Sequence, residues 1–114
     1  MYFYNPDTRE VLTERLFMAE VRDIIEQELE DGGLDELINE IYPVVEIGPY
    51  MFDAADVLKE MDRPAYHEMF SDEVSYQLDN LEEMIGQSMT GEIFYGHVFC
   101  ETMDELQEYL NETE

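Results

Sequence analysis

The sequence predicts an α+β fold in which several helices pack on a small antiparallel sheet. Apolar residues recur at helical spacing in several segments, short β-prone runs separate these segments, and Gly or Pro lies at most junctions. Because 45% of the 114 residues are hydrophobic and 12% are aromatic, the chain has enough apolar material for a core despite its charge. We expect a single domain over residues 1–111 and a loose tail over residues 112–114.

The first third of the chain is predicted to contain one strand and two helices. The aromatic residues 2–4 are typical of a strand, and residues 5–7, Asn-Pro-Asp, of a turn. Residues 8–30 show helical periodicity, which Gly32-Gly33 ends, and a second helix is expected over residues 34–41. The stripe of the first helix is Phe17, Val21, Ile25 and Leu29.

The middle of the chain is predicted to form a hairpin followed by two helices. Residues 44–47 are typical of a strand, and Gly48-Pro49 turns the chain into residues 50–52. Asp53 is expected to cap a short helix that ends at Met61, and Pro64 begins a long helix over residues 64–85. The apolar stripe of that helix is Tyr66, Phe70, Val74, Leu78, Leu81 and Ile85.

The last part is predicted to be a loop, a bent strand or strand pair, and a helix. Residues 86–91 are expected to be a loop, and residues 92–100 form the β segment around Gly96. Thr102 and Glu105 have the spacing of a capping box, which predicts a helix from this point. The order of the strands in the sheet does not follow from these patterns.

The charge is very one-sided, with 30 Asp and Glu residues against five Lys and Arg and a formal net charge of −25. Residues 23–58 hold 11 acids and no base, and residues 64–114 hold 13 acids and no base. Repulsion among so many like charges destabilises a compact state, so a folded chain that keeps them is expected to use them. General solubility or a salt-adapted surface is the alternative explanation.

The acids also recur at helical spacing, which would place carboxylates about 5–6 Å apart along each helix. This distance is within a factor of two of the axial step between phosphates of one DNA strand, which is about 3.4 Å. Solvated faces of ordinary amphipathic helices give the same spacing, but they normally include basic residues. The candidate phosphate-mimicking residues are Asp23, Glu26 and Glu30 in the first helix, Glu68, Asp72, Asp79 and Glu83 in the long helix, and Glu101, Glu105, Glu108 and Glu112 in the last helix. Tyr76 and Tyr109 are candidates for short-range contacts with a partner.

No pattern indicates catalysis, a metal centre or a cofactor. Neither His67 nor His97 has the spaced partners of a metalloprotease or nucleophile motif, and each is interpreted as a structural or surface histidine. The Gly32-Gly33 segment fails the ligand positions of a calcium-binding loop, and no glycine loop has the Lys that binds phosphate. Cys100, the one cysteine, is expected to be a buried and unreactive thiol. We therefore expect no enzymatic activity, no dedicated metal site and no cofactor, although the acidic surface is expected to bind divalent cations weakly.

Composition also limits the partners. No apolar run is long enough to cross a bilayer, and the N-terminus has no cleavable signal pattern, so we expect a cytoplasmic protein, in the host cell if a phage encodes it. Nucleic acid and anionic membranes would repel this charge, so neither is expected to bind directly. A basic protein is the expected partner.

By its size and charge, the chain resembles the small acidic DNA-mimic inhibitors of phages and mobile elements, of the anti-restriction or anti-CRISPR type. Residues 45–72 also resemble a pattern in small phage proteins of unknown function, through Val45-Glu46-Ile47-Gly48-Pro49-Tyr50, the run from Val57 to Tyr66, and Phe70-Ser71-Asp72. The resemblance implies a non-enzymatic inhibitor that evades host defence by occupying the basic nucleic-acid-binding groove of a restriction enzyme, a CRISPR effector or another DNA-binding protein. A homodimer would lengthen such a mimic.

A second hypothesis has a different basis. The chain would be a phage structural or adaptor protein, or an acidic chaperone for a basic partner, that uses apolar surface for specificity and charge for solubility. The two hypotheses differ in salt dependence, because an electrostatic mimic loses its target as salt rises.

Overall fold

The computed structural model of the protein describes residues 1–113, and side chains up to residue 111. It confirms the α+β class, with helices beside small antiparallel sheets. Residues 112 and 113 of the predicted tail belong to the last helix, which extends to Thr113, whereas their side chains and residue 114 lie outside the described part. The strands are β1 (Tyr2–Tyr4), β2 (Val11–Thr13), β3 (Val45–Ile47), β4 (Tyr50–Phe52), β5 (Ile93–Phe94) and β6 (His97–Cys100), and the α-helices are α1 (Glu14–Glu28), α2 (Leu34–Ile41), α3 (Ala54–Met61), α4 (Arg63–Gly86) and α5 (Met103–Thr113).

The chain forms two compact units. Unit 1 consists of residues 1–22 and 78–114, and unit 2 of residues 23–77. Helices α1 and α4 have residues in both units. The expectation of one domain over residues 1–111 stays a prediction.

Unit 1 is built on a four-stranded antiparallel sheet with the order β2-β1-β6-β5. In the centre, Phe3 lies opposite Phe99 in the β1–β6 pair and opposite Leu12 in the β1–β2 pair. The hairpin between β5 and β6 turns through Tyr95 and Gly96, whose φ angles of 49° and 77° are both positive. Two positive φ angles in a two-residue turn match the twist of a tight hairpin, and Gly96 adopts its conformation without strain.

Helices cover both faces of this sheet. On one face the ring of Phe3 stacks on Phe17 of α1 at 3.8 Å between centroids, and Phe99 packs beside it at 5.5 Å from Phe3. On the other face Tyr4, Val98 and Cys100 form a cluster with Leu106 of α5. Because neighbouring residues of a strand point to opposite faces, all four residues of β6 are buried.

The prediction that residues 8–13 belong to the first helix was wrong. Residues 11–13 form β2, which pairs with β1, and α1 begins only at Glu14. The turn between the strands depends on Asn5, whose side-chain Oδ1 accepts a hydrogen bond from the backbone N–H of Asp7 at 2.9 Å. The pairing of β1 therefore prevails over the helical spacing of the residues that follow the turn. The regular part of α1 ends at Glu28, and the backbone stays helical beyond it until the predicted break at Gly32.

Unit 2 contains the predicted glycine break, two short helices and a hairpin. Residues 29–33 form a single π-helical turn, where Gly32 has a φ of 114°, a value that favours glycine. Helix α2 follows over the predicted residues 34–41, and β3 and β4 form the predicted hairpin with Ile47 opposite Tyr50.

The cap of α3 differs from the prediction. Asp53 is the N-cap residue by position, but its side chain makes no capping hydrogen bond. Asn39 of α2 provides the acceptor instead, because its Oδ1 receives the backbone N–H of Ala55 at 3.0 Å. The interaction closes the start of α3 and also joins it to α2.

Helix α4 confirms the long predicted helix over residues 64–85, with one extra residue at each end. Asp62 caps its start, since the Oδ1 atom accepts the backbone N–H of Ala65 at 3.2 Å. Of the predicted apolar stripe, Val74, Leu81 and Ile85 are buried and Tyr66, Phe70 and Leu78 are half-buried. The sequence thus identified the inward face of this helix correctly.

Candidate functional site

Helix α4 presents the clearest row of predicted phosphate-mimicking carboxylates. Glu68 and Asp72 in its unit 2 part and Asp79 and Glu83 in its unit 1 part are exposed. Within each pair, the spacing of four residues keeps the two carboxylates on one face of a regular helix. Tyr76, between the two pairs, is 62% exposed, so its ring is available for contact.

The acids predicted on the first helix are less regular. Asp23 is exposed on α1, and Glu26 is half-buried on the same helix. Glu30 lies beyond the end of α1, in the π-helical turn. There it lines a shallow pocket of about 230 Å³ with Tyr66, His67 and Phe70. The backbone first departs from helical geometry at Gly32, so Glu30 still follows Asp23 and Glu26 in helical backbone, and Glu26 is the half-buried member of the three.

The candidate acids near α5 also differ in their exposure and in their position relative to the helix. Glu101 is exposed but precedes the helix, and Glu108 is exposed on it. Glu105 is half-buried: its carboxylate accepts a hydrogen bond from the Thr90 hydroxyl, and its backbone N–H donates to Thr102 Oγ1 at 3.2 Å as the capping box predicts. The predicted Glu112 side chain lies outside the described residues. Glu105 is thus partly committed to holding a loop against the start of α5.

Tyr109 lies mostly inside unit 1. Its ring packs edge-on against Tyr4 at 5.7 Å between centroids, and the side chain is half-buried beside the α5 cluster. Most of this ring is used for packing, which leaves little of it for a partner.

The basic residues do little to balance the acids. Unit 2 has 16 Asp and Glu residues against Lys59 and Arg63, a formal charge of −14, and unit 1 has 14 against three arginines, a formal charge of −11. Arg9, Arg15 and Arg22 are exposed in unit 1. The acids of α4 and α5 have no Lys or Arg on their own helices after Arg63.

Lys59 is part of a network that the sequence analysis missed. Its Nζ lies 2.5 Å from Asp35 Oδ2, and the Tyr66 hydroxyl donates to Asp35 Oδ1 at 2.8 Å. The ammonium group also lies 5.2 Å from the centre of the Tyr66 ring. These residues are on α2, α3 and α4 and are separated by up to 31 positions, so no short-range spacing could have revealed them.

The network suits a structural role better than a chemical one. Burial alone would raise the pKa of Asp35, but hydrogen bonds from Lys59 and Tyr66 and the charge of Lys59 lower it overall. The hydrogen bond to Asp35 raises the pKa of Lys59, and burial followed by that same carboxylate raises the pKa of Tyr66. An ammonium that holds its proton more firmly is a poor nucleophile or general base at neutral pH.

Unit 2 also contains an apolar groove that the sequence analysis did not identify. Its volume is about 500 Å³, and Tyr42 is the one member of its lining with a polar side chain. A second groove of about 310 Å³ shares Val45, Val57 and Met61 with the first and includes Asp56 and Glu60. The lining of the first groove is Ile38, Tyr42, Pro43, Val44, Val45, Ala54, Val57, Leu58, Met61, Ala65 and Met69. Its signal in the sequence was the apolar character of residues 44–52, which were assigned to a hairpin without a packing partner.

Two other side chains with reactive groups, His97 and Cys100, are buried in unit 1. His97 is buried in unit 1, with Nδ1 at 2.8 Å from the Tyr95 carbonyl oxygen and Nε2 at 3.7 Å from Glu20 Oε2. Cys100 is fully buried, and burial, followed by the charge of Glu105, raises the pKa of its thiol. Within the described part of the chain, no group of three or more His, Cys, Asp or Glu residues is placed to hold a metal ion.

Among the helices of residues 1–113, none has the length and apolar character that a bilayer crossing requires.

The comparisons with known proteins found no relative of this chain. A scan against protein-family models, a search of curated proteins and a search of solved structures each returned no match.

Proposed function

We propose that the protein is a non-enzymatic inhibitor whose carboxylates take the place of phosphates in the basic groove of a nucleic-acid-binding protein. A restriction enzyme, a CRISPR effector or another DNA-binding protein of a host cell is the proposed class of target, which places the inhibitor in the cytoplasm. The observation that supports it best is the two exposed carboxylate pairs of α4, Glu68 with Asp72 in unit 2 and Asp79 with Glu83 in unit 1, on a helix without a basic residue after Arg63.

The spacing within each pair supports a partner that reads regularly placed charge. Carboxylates four residues apart on a helix are separated by about 6 Å along its axis. A basic groove that follows DNA meets phosphates about every 3.4 Å per strand, so alternate positions could be matched. An unbalanced negative surface also accelerates encounter with a basic partner, and this advantage decreases as salt rises.

The test begins with a pull-down from a bacterial lysate at low and high salt, followed by DNA displacement from each captured protein. We expect the protein to release DNA from a captured DNA-binding protein, and the inhibition to weaken about tenfold or more between about 0.05 and 0.2 M salt.

Matched charge reversals then locate the face. The double variant Asp79→Lys with Glu83→Lys removes exposed candidates, and Glu10→Lys with Glu92→Lys changes the net charge equally at exposed positions outside the candidate set. We expect the first variant to inhibit at least about tenfold more weakly than the second. Equal inhibition by the two variants would show that net charge, and not the α4 face, determines binding.

The adaptor or chaperone function is the second candidate, and the apolar groove of unit 2 favours it. Contacts in such a groove are not screened by salt. A partner that stays bound at about 0.5 M salt, and that does not release DNA, would support this alternative.

A further inference from the structure

We propose that the apolar groove of unit 2 binds an amphipathic helix of a partner protein, with the apolar stripe of that helix in the groove and Lys or Arg at its borders. This inference goes beyond the proposed function, because it concerns a different surface and holds for any partner that contains such a helix.

The groove is the part of unit 2 where apolar side chains are most exposed. Met61, which lines both grooves, is 81% exposed, and in the adjoining groove Ile47 is 64% exposed and Phe52 is 44% exposed. Contiguous exposed apolar surface of this kind is unfavourable in water and typically marks an interaction site. An occupant with apolar side chains would remove this surface from water.

The lining favours a helix over an extended segment. An extended segment needs partners for its backbone N–H and C=O groups, and this lining consists of apolar side chains except for the Tyr42 hydroxyl. A helix satisfies its own backbone and presents apolar residues at spacings of three and four. Met61 and Met69 add flexible side chains that adapt to the shape of such a stripe.

The charge around the groove favours a basic helix and disfavours a second copy of this chain. Asp56 and Glu60 lie in the adjoining groove beside Met61, and unit 2 has a formal charge of −14. Lys59, the basic residue of α3, is already engaged by Asp35. Two copies would bring like charges together, whereas Lys and Arg at the borders of a helix would pair with these acids.

The binding test uses a fluorescent synthetic helix of about 18 residues with Leu at positions i, i+3, i+4 and i+7 and Lys at the others. A scrambled peptide of the same composition keeps the charge but lacks the stripe. Fluorescence anisotropy at about 0.15 and 0.5 M salt should show tighter binding of the striped peptide at both concentrations, because the apolar contact is not screened.

The variant Met61→Glu removes an apolar side chain from the groove while adding an attractive negative charge. Met89→Glu is the matched control, since Met89 is 73% exposed in unit 1 and the same charge is added there. We expect Met61→Glu to bind the striped peptide about tenfold more weakly than Met89→Glu. Circular dichroism should confirm that both variants keep the fold.

Three results would overturn the inference. Equal binding of the striped and scrambled peptides would leave only charge attraction. A dimer in sedimentation that Met61→Glu dissociates and Met89→Glu does not would assign the groove to a second copy. Binding of the uncharged dye Nile red in a Met61-dependent manner, without binding of the striped peptide, would assign it to a small apolar ligand.

Discussion

At the scale of single residues, the contact of Asp35 with Lys59 and Tyr66 shows how this acidic chain uses one of its five basic side chains. The Asp35 carboxylate receives an ammonium N–H and a phenol O–H from two other helices. The side chains of Asp35 and Lys59 are about one third exposed, so water screens much of their attraction. The main effect of this contact is to position the three helices that carry Asp35, Lys59 and Tyr66 relative to one another, and its interaction energy is not large.

The first prediction at this scale concerns Lys59. We expect Lys59→Met to lower the free energy of unfolding by about 1 kcal/mol, because it removes the ion pair and the contact with the Tyr66 ring and leaves Asp35 with one donor. Urea denaturation followed by circular dichroism measures this. Arg63→Met is the control: it removes the same charge from an exposed site at the start of α4, where a cation gains little from the helix dipole.

The pH dependence of that difference follows from the pKa of Asp35. Its folded-state pKa is lowered, so its contribution to stability is complete above the pKa of the unfolded state and is lost as the pH falls through the folded-state value. The Lys59→Met effect should therefore be full at pH 7 and decrease under acidic conditions. An effect equal to that of Arg63→Met at pH 7 would contradict a structural role for the network.

At the scale of elements, the start of α3 shows how a cap can come from another part of the chain. Sequence position predicts Asp53, yet the Asn39 side chain of α2 accepts the Ala55 N–H. A backbone donor at a helix start needs an acceptor, and any neighbouring oxygen with the right geometry can provide it. The nearest polar residue in the sequence is only the most frequent source.

The second prediction compares these two residues. Asn39→Ala should destabilise the protein by about 1 kcal/mol, because it leaves the Ala55 N–H without its acceptor. Asp53→Ala should cost about half as much or less, since it removes only a negative charge near the helix start. Thermal or urea unfolding of both variants measures the difference, and a larger effect for Asp53→Ala would contradict the assignment of the cap.

Element prediction succeeded where an apolar stripe or Gly and Pro residues marked the element, and it failed at β2. Helix α4 has an apolar stripe over about five turns, and α2 lies between the Gly32-Gly33 break and Pro43, so both were predicted well. Strand β2 is only three residues long and has no stable conformation without β1 beside it. Its residues also fit the start of a helical pattern, which explains the error.

At the scale of the whole molecule, charge repulsion opposes folding. A net charge of −25 on 114 residues raises the free energy of any compact state, and few ion pairs are available to offset it. The aromatic core of unit 1 and the apolar clusters of both units must therefore provide most of the stability. Mobile cations should also contribute.

The third prediction is that salt stabilises this protein. Raising NaCl from about 0.05 M to about 0.5 M shortens the screening length from roughly 14 Å to about 4 Å, and we expect the Tm to rise by about 5 °C. Differential scanning calorimetry measures it. A variant with Asp79→Asn, Glu83→Gln, Glu101→Gln and Glu108→Gln should show a smaller rise, and a Tm that does not depend on salt would contradict repulsion as the main destabilising effect.

The sequence by itself determined the fold class, most helices, the hairpin of residues 44–52 and the acidic character of the chain, and it left residues 92–100 open between a bent strand and a strand pair. These properties depend on periodicity, turn residues and composition, which act over a few neighbouring positions. Only the tertiary structure decided which candidate acids are exposed, such as Asp79 and Glu83, and which are partly used internally, such as Glu105. It also decided the strand order, the Asp35 network and the apolar groove of unit 2, because each joins residues that are distant in the chain and that meet only when helices and strands pack.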